Sequence, residues 1–220
     1  MLPIDTILFD LDGTLVDSNE LIIETFKRTY QVHLPNRSFT HTELSQMMGP
    51  PLYETFSHYV NDESIINEMI KTYRHIYRMI EFDYISLYPY VIECLSSLKK
   101  AGFKLGIVTT KFRESALPSI THYHIDHYLD VIIGLDDVTN HKPHPEPIYK
   151  ALEKLDHQGV IIVGDSPSDI LSGKNASILT CGVEWSYRKA ELQIINPDFW
   201  LTDYQHLLEM IKTYNKLVEV

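Results

Sequence analysis

Short apolar segments alternate with helical patterns over most of this chain, and this alternation restricts the fold more than any other feature. The apolar segments cover 6–9, 104–109, 131–133, 160–163, 178–181 and 199–201. Helical patterns cover 91–101, 114–123, 146–155 and 169–176, and a last one ends near 217. Strands that alternate with helices of this length form a parallel sheet, which binds ligands outside the carboxyl ends of its strands. The sequence therefore predicts an α/β fold with a doubly wound parallel sheet.

From Asp17 to about Ile80, after the first apolar segment, the chain has helical periodicity alone. The apolar residues there form two stripes at helical spacing, namely Leu21, Ile22, Phe26 and Tyr30, and then Ile65, Ile66, Met69, Ile70, Tyr73, Ile76, Tyr77 and Ile80. Asp17 and Ser18 are candidate N-caps for the first helix, and turn-forming residues at 34–37 and 48–51 separate the helices. We therefore expect an all-helical cap at 17–83, inserted in an α/β core formed by 1–16 and 84–220.

Composition restricts the class of protein. The chain has 220 residues and a formal net charge of −11, which argues against nucleic acid as a partner because phosphate backbones require clustered Lys and Arg. It has no apolar stretch of membrane-spanning length and no secretion signal at its N-terminus. Cys94 and Cys181 lie in apolar contexts, as reduced core cysteines do. We expect a cytoplasmic protein with no membrane partner.

Polar residues lie at the end of, or beyond, each of the first four apolar segments. They are Asp10 and Asp12, then Thr109, Thr110 and Lys111, then Lys142, and finally Asp165 and Asp169. Because the carboxyl ends of parallel strands meet at one crevice, these residues are expected to converge there. Carboxylates this close repel one another unless a cation or hydrogen bonds compensate. Mg²⁺ takes hard oxygen ligands and often binds one or two carboxylates together with a substrate phosphate, so the pattern predicts a Mg²⁺ site for phosphate chemistry.

These residues resemble, in order and spacing, the four motifs of the haloacid dehalogenase-like phosphohydrolases. The motifs are Asp10-Leu11-Asp12-Gly13-Thr14, the strand end at Thr109, Lys142-Pro143, and Gly164-Asp165 followed by Asp169. The resemblance implies a Rossmann-like core, a helical cap inserted between the first two motifs, and hydrolysis of a phosphorylated substrate with Mg²⁺ as cofactor.

The resemblance also implies catalytic roles. Asp10 would attack phosphorus and form an aspartyl-phosphate, which splits one difficult displacement into two easier ones. Asp12 would protonate the leaving oxygen and then deprotonate the hydrolytic water. Thr109 and Lys142 would hold the transferring phosphoryl oxygens, and the lysine would offset charge in the transition state.

A metal site is implied by the same motifs. Asp10, the main-chain carbonyl of Asp12, and Asp165 would coordinate Mg²⁺. Asp169 would be a further ligand or an acceptor that supports the ligands.

Further segments are similar to one subgroup of this family, the inorganic pyrophosphatases of Gram-positive bacteria linked to serine-phosphorylated HPr. These segments are 19–24, 49–56, 101–111 and 173–176, whereas His144 and 166–168 depart from the subgroup. The similarity implies hydrolysis of inorganic pyrophosphate, a small anionic substrate, to two orthophosphates. Phosphoglycolate or another small phosphomonoester is an alternative substrate. A non-catalytic binding module on the same fold is a further alternative.

Residues that contact the substrate are predicted from their charge and position. Lys111, Arg113 and the loop at Gly49 would line a compact polar pocket; the alternative for that loop is a plain connection between two cap helices. Thr110 stands where phosphoglycolate phosphatases usually carry Asn. The histidines within 122–127 would form either a zinc site or an exposed helix–loop junction. Trp185 is expected to cover the edge of the sheet.

Overall fold

The computed structural model describes residues 2–48 and 50–218. Within them the chain divides into two compact units. The core unit runs up to Val16 and resumes at Leu87, and the insertion unit is Asp17–Ser86. The sequence prediction puts the second boundary between residues 83 and 84, inside the end of a helix that runs to Tyr84. The role of the insertion unit as a cap stays a prediction.

The core unit contains a six-stranded parallel sheet. The strands among the described residues are β1 (Ile4–Phe9), β2 (Val16–Asp17), β3 (Ser86–Leu87), β4 (Lys104–Val108), β5 (Val131–Ile133), β6 (Gly159–Gly164), β7 (Leu179–Val183) and β8 (Phe199–Leu201). The order of the large sheet is β5-β4-β1-β6-β7-β8, and β2 pairs with β3 in a separate sheet. All neighbours in the large sheet are parallel. The carboxyl end of β1 therefore lies between those of β4 and β6.

Helices flank this sheet. The α-helices are α1 (Asn19–His33), α2 (His41–Ser45), α3 (Leu52–Ser57), α4 (Glu63–Tyr84), α5 (Val91–Lys100), α6 (Arg113–His122), α7 (Glu146–Leu152), α8 (Pro167–Asn175), α9 (Lys189–Ile195) and α10 (Leu207–Val218). Leu8, Val108 and Ile162 of the sheet pack with Ile148 and Ala151 of α7 in one cluster. Every residue of β6 is buried, as in strands covered on both faces. The predicted Rossmann-like α/β fold is confirmed.

The insertion unit is built on helices α1 to α4 around an aromatic cluster. Phe26 of α1 lies 4.8 Å from Tyr73 of α4 and 5.8 Å from Phe56 of α3, measured between ring centroids. Tyr30 packs against Phe56 at 5.7 Å. These rings come from the two stripes predicted from helical spacing and from the short helix between them. The helical character of the insertion is thus confirmed.

Two local features differ from the sequence prediction. Ser18 is the N-cap residue of α1, but its hydroxyl makes no capping hydrogen bond and is buried without a partner among the described residues. Asp17 Oδ1 instead accepts a hydrogen bond from the amide of Asn19, at 3.4 Å. Helix α9 occupies a segment in which the sequence predicts no element.

In the described part of the chain, each helix is too short or too polar to span a membrane.

Candidate active site

Three neighbouring strands of the core unit deliver the predicted motif residues to one edge of the sheet. Asp10 follows β1 directly, Thr109 follows β4, and Asp165 follows β6. The amide of Asp10 donates to the carbonyl of Val163 at 2.9 Å. This bond extends the β1–β6 ladder by one residue, so the main chain at Asp10 is held by the sheet itself.

Three carboxylates meet at this edge. Asp10, Asp165 and Asp169 each offer an oxygen that lies within 4.8 Å of the others. Two glycines permit this approach, because a Cβ at Gly13 would lie 2.4 Å from an Asp165 carboxylate oxygen and a Cβ at Gly164 would lie 2.3 Å from Cβ of Asp169. Gly13 also adopts φ +79°, a conformation that favours glycine. The turn after Asp12 therefore requires glycine for its conformation and for its space.

Lys142 is buried in the middle of these carboxylates. Its ammonium donates to Asp10 Oδ1 at 2.8 Å, to Asp169 Oδ1 at 2.5 Å and to the carbonyl of Val108 at 2.8 Å. All three N–H groups of the ammonium thus have acceptors, and the side chain is only 2% exposed. Burial lowers the pKa of Lys142, but the charges of Asp10 and Asp169 outweigh it and raise that pKa above its usual value. The lysine is therefore a fixed cation.

The carboxylates are crowded beyond what one lysine compensates. Burial raises the pKa of Asp10 to about 7; the Lys142 ammonium opposes this rise, and the charges of Asp169 and Asp12 add to it. Burial, followed by the charges of Asp169 and Asp10, raises the pKa of Asp165 well above its usual value. Ionised carboxylates here are disfavoured unless a further cation is present.

The donor set fits a divalent cation such as Mg²⁺. Asp10, Asp165 and Asp169 carry three negative charges when ionised and Lys142 carries one positive charge, which leaves an excess of two. Oδ1 of Asp10 accepts from Lys142, and oxygens of Asp10, Asp165 and Asp169 lie within 4.8 Å of one another, close enough to hold one ion. Carboxylate oxygens are the ligands that Mg²⁺ prefers. The chemistry of this site therefore agrees with the predicted cofactor.

Asp169 is engaged differently from the other two carboxylates. Its Oδ2 accepts hydrogen bonds from the amide of Ser166 at 3.0 Å and from the Ser166 hydroxyl at 2.6 Å, and its Oδ1 accepts from Lys142. The residue is fully buried at the start of α8. With both oxygens occupied by protein donors, Asp169 is suited to holding Lys142 and the loop after β6. This arrangement favours the supporting role over direct coordination.

Asp12 and the residues after β4 lie beside this cluster. The ammonium of Lys111 lies 3.5 Å from the Asp12 carboxylate, and its side chain is 12% exposed. The amide of Lys111 donates to the Thr109 hydroxyl at 3.1 Å. Thr109 is buried, whereas Thr110 is exposed. The structure thus brings Lys111 to the predicted acid–base residue rather than leaving it at the surface.

Arg113 is engaged elsewhere. Its guanidinium donates to the carbonyl of Ile132 at 2.6 Å and lies 3.4 Å from Asp137. Among the described residues, none of its side-chain hydrogen bonds reaches the aspartate cluster. Gly49, also predicted to contact substrate, lies outside the described residues.

Sequence reasoning missed three contributors to this site. The carbonyl of Val108 accepts from Lys142, the Trp185 indole donates to the carbonyl of Gly13 at 3.0 Å, and the Ser186 hydroxyl donates to the carbonyl of Asp165 at 2.5 Å. All three contacts involve main-chain acceptors, which a sequence motif does not reveal. The indole N–H of a tryptophan in a loop after a strand was the one available signal, because such a donor usually finds a partner when buried.

A second group of possible metal ligands lies in the core unit. His124, Asp126 and His127 bring their ligating atoms within 4.8 Å of one another; both histidines are exposed, and Asp126 is partly buried. His124 is the N-cap of a short 3₁₀ helix, Ile125–Tyr128, and Asp126 and His127 lie within that helix. The exposure agrees with the alternative of a surface helix–loop junction.

Comparison with known proteins gives concordant results. The family model described as haloacid dehalogenase-like hydrolase matches residues 7–183. A pyrophosphatase PpaX from Bacillus cereus is 40% identical over 216 residues, which cover 97% of this chain and 99% of the relative. A pyrophosphatase PpaX from Bacillus anthracis is 38% identical and covers 98% of this chain and 100% of the relative.

Solved structures show the same fold. A haloacid dehalogenase-like family hydrolase from Streptococcus pneumoniae superposes with a TM-score of 0.82 at 30% identity. The match covers 94% of this chain and 98% of that chain. The shared architecture therefore extends over nearly the whole length of both proteins.

Proposed function

This chain belongs to the haloacid dehalogenase-like hydrolase family and is a phosphohydrolase, and we propose that its substrate is inorganic pyrophosphate. The observation that supports this proposal most is the constellation of Asp10, Asp165, Asp169 and Lys142 at the carboxyl edge of the sheet, in which all but the partly buried Asp165 are buried. The substrate itself is suggested by the relatives named pyrophosphatase PpaX, which match the chain over almost its full length.

In the first half of the proposed reaction Asp10 is the nucleophile. Its carboxylate oxygen attacks one phosphorus atom of pyrophosphate, and the bond from that phosphorus to the bridging oxygen breaks. The electron pair leaves with the second phosphate, which takes a proton from Asp12. Lys142 already lies 2.8 Å from Asp10, where its charge stabilises the phosphoryl oxygens as negative charge develops.

In the second half water releases the enzyme. Asp12 takes a proton from a water molecule, whose oxygen attacks the phosphorus of the aspartyl-phosphate. The bond between that phosphorus and the Asp10 oxygen breaks and restores the carboxylate. One pyrophosphate and one water thus give two orthophosphates, and Asp12 returns to its starting protonation state.

Asp10 and Asp165, with the main-chain carbonyl of Asp12, would hold Mg²⁺. When bound, the ion supplies positive charge that neutralises the phosphoryl oxygens and orients them. Asp169 would keep Lys142 in place.

Measuring orthophosphate release from pyrophosphate tests this proposal. We expect turnover to require Mg²⁺ and to fall by at least about 10³-fold in Asp10→Asn, because the nucleophile is removed. Asp156→Asn is the matched control, since this carboxylate is fully exposed and should leave turnover unchanged. Near-full turnover of Asp10→Asn would contradict the role of Asp10, and turnover without divalent metal would contradict the cofactor.

A panel of substrates tests the choice of pyrophosphate. Phosphoglycolate and other small phosphomonoesters should be hydrolysed with a lower kcat/KM than pyrophosphate. A preference above about tenfold for any monoester would overturn the proposed substrate; such a preference corresponds to about 1.4 kcal/mol of transition-state stabilisation. We propose no nucleic-acid partner for this chain. The cytoplasmic location of the protein stays a prediction.

A further inference from the structure

Two consecutive residues after β7 contact both of the acid-bearing loops in the core unit. The indole of Trp185 donates to the carbonyl of Gly13, at 3.0 Å, and the hydroxyl of Ser186 donates to the carbonyl of Asp165, at 2.5 Å. Gly13 directly follows Asp12 in the chain. One dipeptide thus holds the main chain next to the proposed acid–base residue and the main chain of a proposed metal ligand.

The Trp185 ring is itself fixed by aromatic neighbours. It lies 5.0 Å from the Tyr88 ring and 5.4 Å from the Tyr204 ring, measured between centroids. The buried hydroxyl of Tyr204 donates to the carbonyl of Thr14, at 3.0 Å. We call Tyr88, Trp185 and Tyr204 the aromatic brace. Two adjacent carbonyls of the turn after Asp12 therefore accept hydrogen bonds from this brace.

The two loops also contact each other, so the position of one affects the other. The Thr14 hydroxyl lies 3.4 Å from Asp165 Oδ1, and the Gly13 main chain packs so closely on the Asp165 carboxylate that a Cβ would clash. A shift of the Gly13 turn would therefore change the distance between Asp12 and Asp165. Displacements of about 1 Å in a catalytic arrangement reduce rates by about 10²-fold.

We propose that Trp185 and Ser186 are positioning residues that fix the spacing between Asp12 and Asp165. Trp185 acts through the Gly13 carbonyl and Ser186 through the Asp165 carbonyl. The inference rests on the proposed function, because it assigns these residues to the reaction of that site. A single neutral hydrogen bond contributes little to the net free energy of folding, so the effect is expected in catalysis and metal affinity more than in stability.

Trp185→Phe separates the hydrogen bond from the ring contacts, since phenylalanine retains an aromatic ring but has no N–H. We expect kcat for pyrophosphate to fall by about tenfold or more, with KM changed by less than about threefold. The matched control is Trp200→Phe, which alters the other tryptophan of the chain, on strand β8. The control should keep kcat and KM within twofold of the wild-type values.

Ser186→Ala tests the second contact through the metal. We expect the Mg²⁺ concentration that gives half-maximal stabilisation in a thermal melt to rise by about tenfold, as for lost outer-shell contacts of metal sites. Ser186→Thr keeps the hydroxyl and should restore most of the affinity. This measurement uses Mg²⁺ alone, so it does not depend on the identity of the substrate.

Hydrogen exchange gives a direct readout of the turn. Amides between Gly13 and Val16 bond to Leu11 and Val16 carbonyls within the turn. At a temperature where both variants are folded, the amides of a peptide covering 10–17 should exchange faster in Trp185→Phe than in wild type. In Trp200→Phe their exchange rate should equal that of wild type. The proposal is overturned if both variants, Trp185→Phe and Ser186→Ala, stay within twofold of wild type in all three measurements: the exchange rate of the turn, the Mg²⁺ midpoint and kcat. If wild type does not hydrolyse pyrophosphate, the proposed function fails, while exchange and Mg²⁺ midpoints still decide this inference.

Discussion

Crowding of the carboxylates in the candidate site should make the metal-free protein less stable than its metal-bound form. Asp165→Asn removes one of the three charges that meet at the cluster. We expect the metal-free variant to gain about 1 kcal/mol in unfolding free energy, or about 2–4 °C in Tm. It should also lose most of the stabilisation that Mg²⁺ gives to wild type. Thermal melts at pH 7, with and without Mg²⁺, measure both effects.

The exposed carboxylate of Asp156 supplies the control for that experiment. Asp156→Asn should keep the Tm and the response to Mg²⁺ of the wild type. An Asp165→Asn variant that Mg²⁺ stabilises as strongly as wild type would remove Asp165 from the set of metal ligands.

Lys142 should matter to folding as well as to catalysis. Lys142→Met leaves Asp10 and Asp169 without their shared cation in a buried setting, which costs about 3–5 kcal/mol for a broken buried ion pair. Adding Asp169→Asn removes one of the uncompensated charges, so the double variant should recover part of the stability but no activity. Urea denaturation of the two single variants and the double variant gives the coupling energy. Additive losses in the cycle would contradict the contact as the cause.

At the scale of elements, two helices of the insertion unit begin in opposite ways. Asp62 caps α4, because its Oδ1 accepts from the amides of Ser64 at 2.8 Å and Ile65 at 3.3 Å. Asp62→Ala should therefore lower the unfolding free energy by about 1 kcal/mol, whereas Asp62→Asn should keep most of the stabilisation that the cap provides. Ser18→Ala at the start of α1 should be neutral or stabilising, since it removes a buried hydroxyl that lacks a partner. Chemical denaturation measures the unfolding free energy of the three variants. If Ser18→Ala lowers it as much as Asp62→Ala does, the predicted difference between the two helix starts is wrong.

The same contrast explains which elements could be predicted from sequence. The core strands are short apolar segments separated by helical patterns, and helix α4 carries a long apolar stripe, so their type and position follow from periodicity. Helix α9 has seven residues, of which Leu192 alone is buried, so it has no apolar stripe to reveal it. Ser18 looks like a cap by residue type, but only the backbone geometry decides whether its side chain reaches the helix.

At the scale of the whole molecule, the sheet order brings distant residues together. Asp10 and Lys142 are 132 positions apart and form a buried ion pair. Their convergence could be predicted because parallel strands release their carboxyl ends at one edge. The partner of Arg113 could not be predicted, because a charged residue beside a motif can contact a ligand or form an ion pair within the protein. Asp137 becomes the neighbour of Arg113 only through the fold. Motifs therefore predict which residues share an edge, whereas the hydrogen bonds that orient them depend on packing.

The two cysteines provide a test of how tightly the core unit is closed. Burial raises the pKa of the Cys94 thiol to about 12 and also raises that of Cys181. Because the thiolate is the reactive form, the raised pKa keeps the Cys94 thiol protonated at pH 8, and both cysteine side chains are shielded. We expect less than about 0.1 thiol per chain to react with Ellman's reagent in the native state within minutes, and two thiols to react in guanidinium chloride. Cys94→Ala and Cys181→Ala assign any signal to one site. A thiol that reacts rapidly under native conditions would mean that the core unit opens locally around α5 or β7. A reaction rate that rises with denaturant in step with unfolding would show that these elements open only with the unit as a whole.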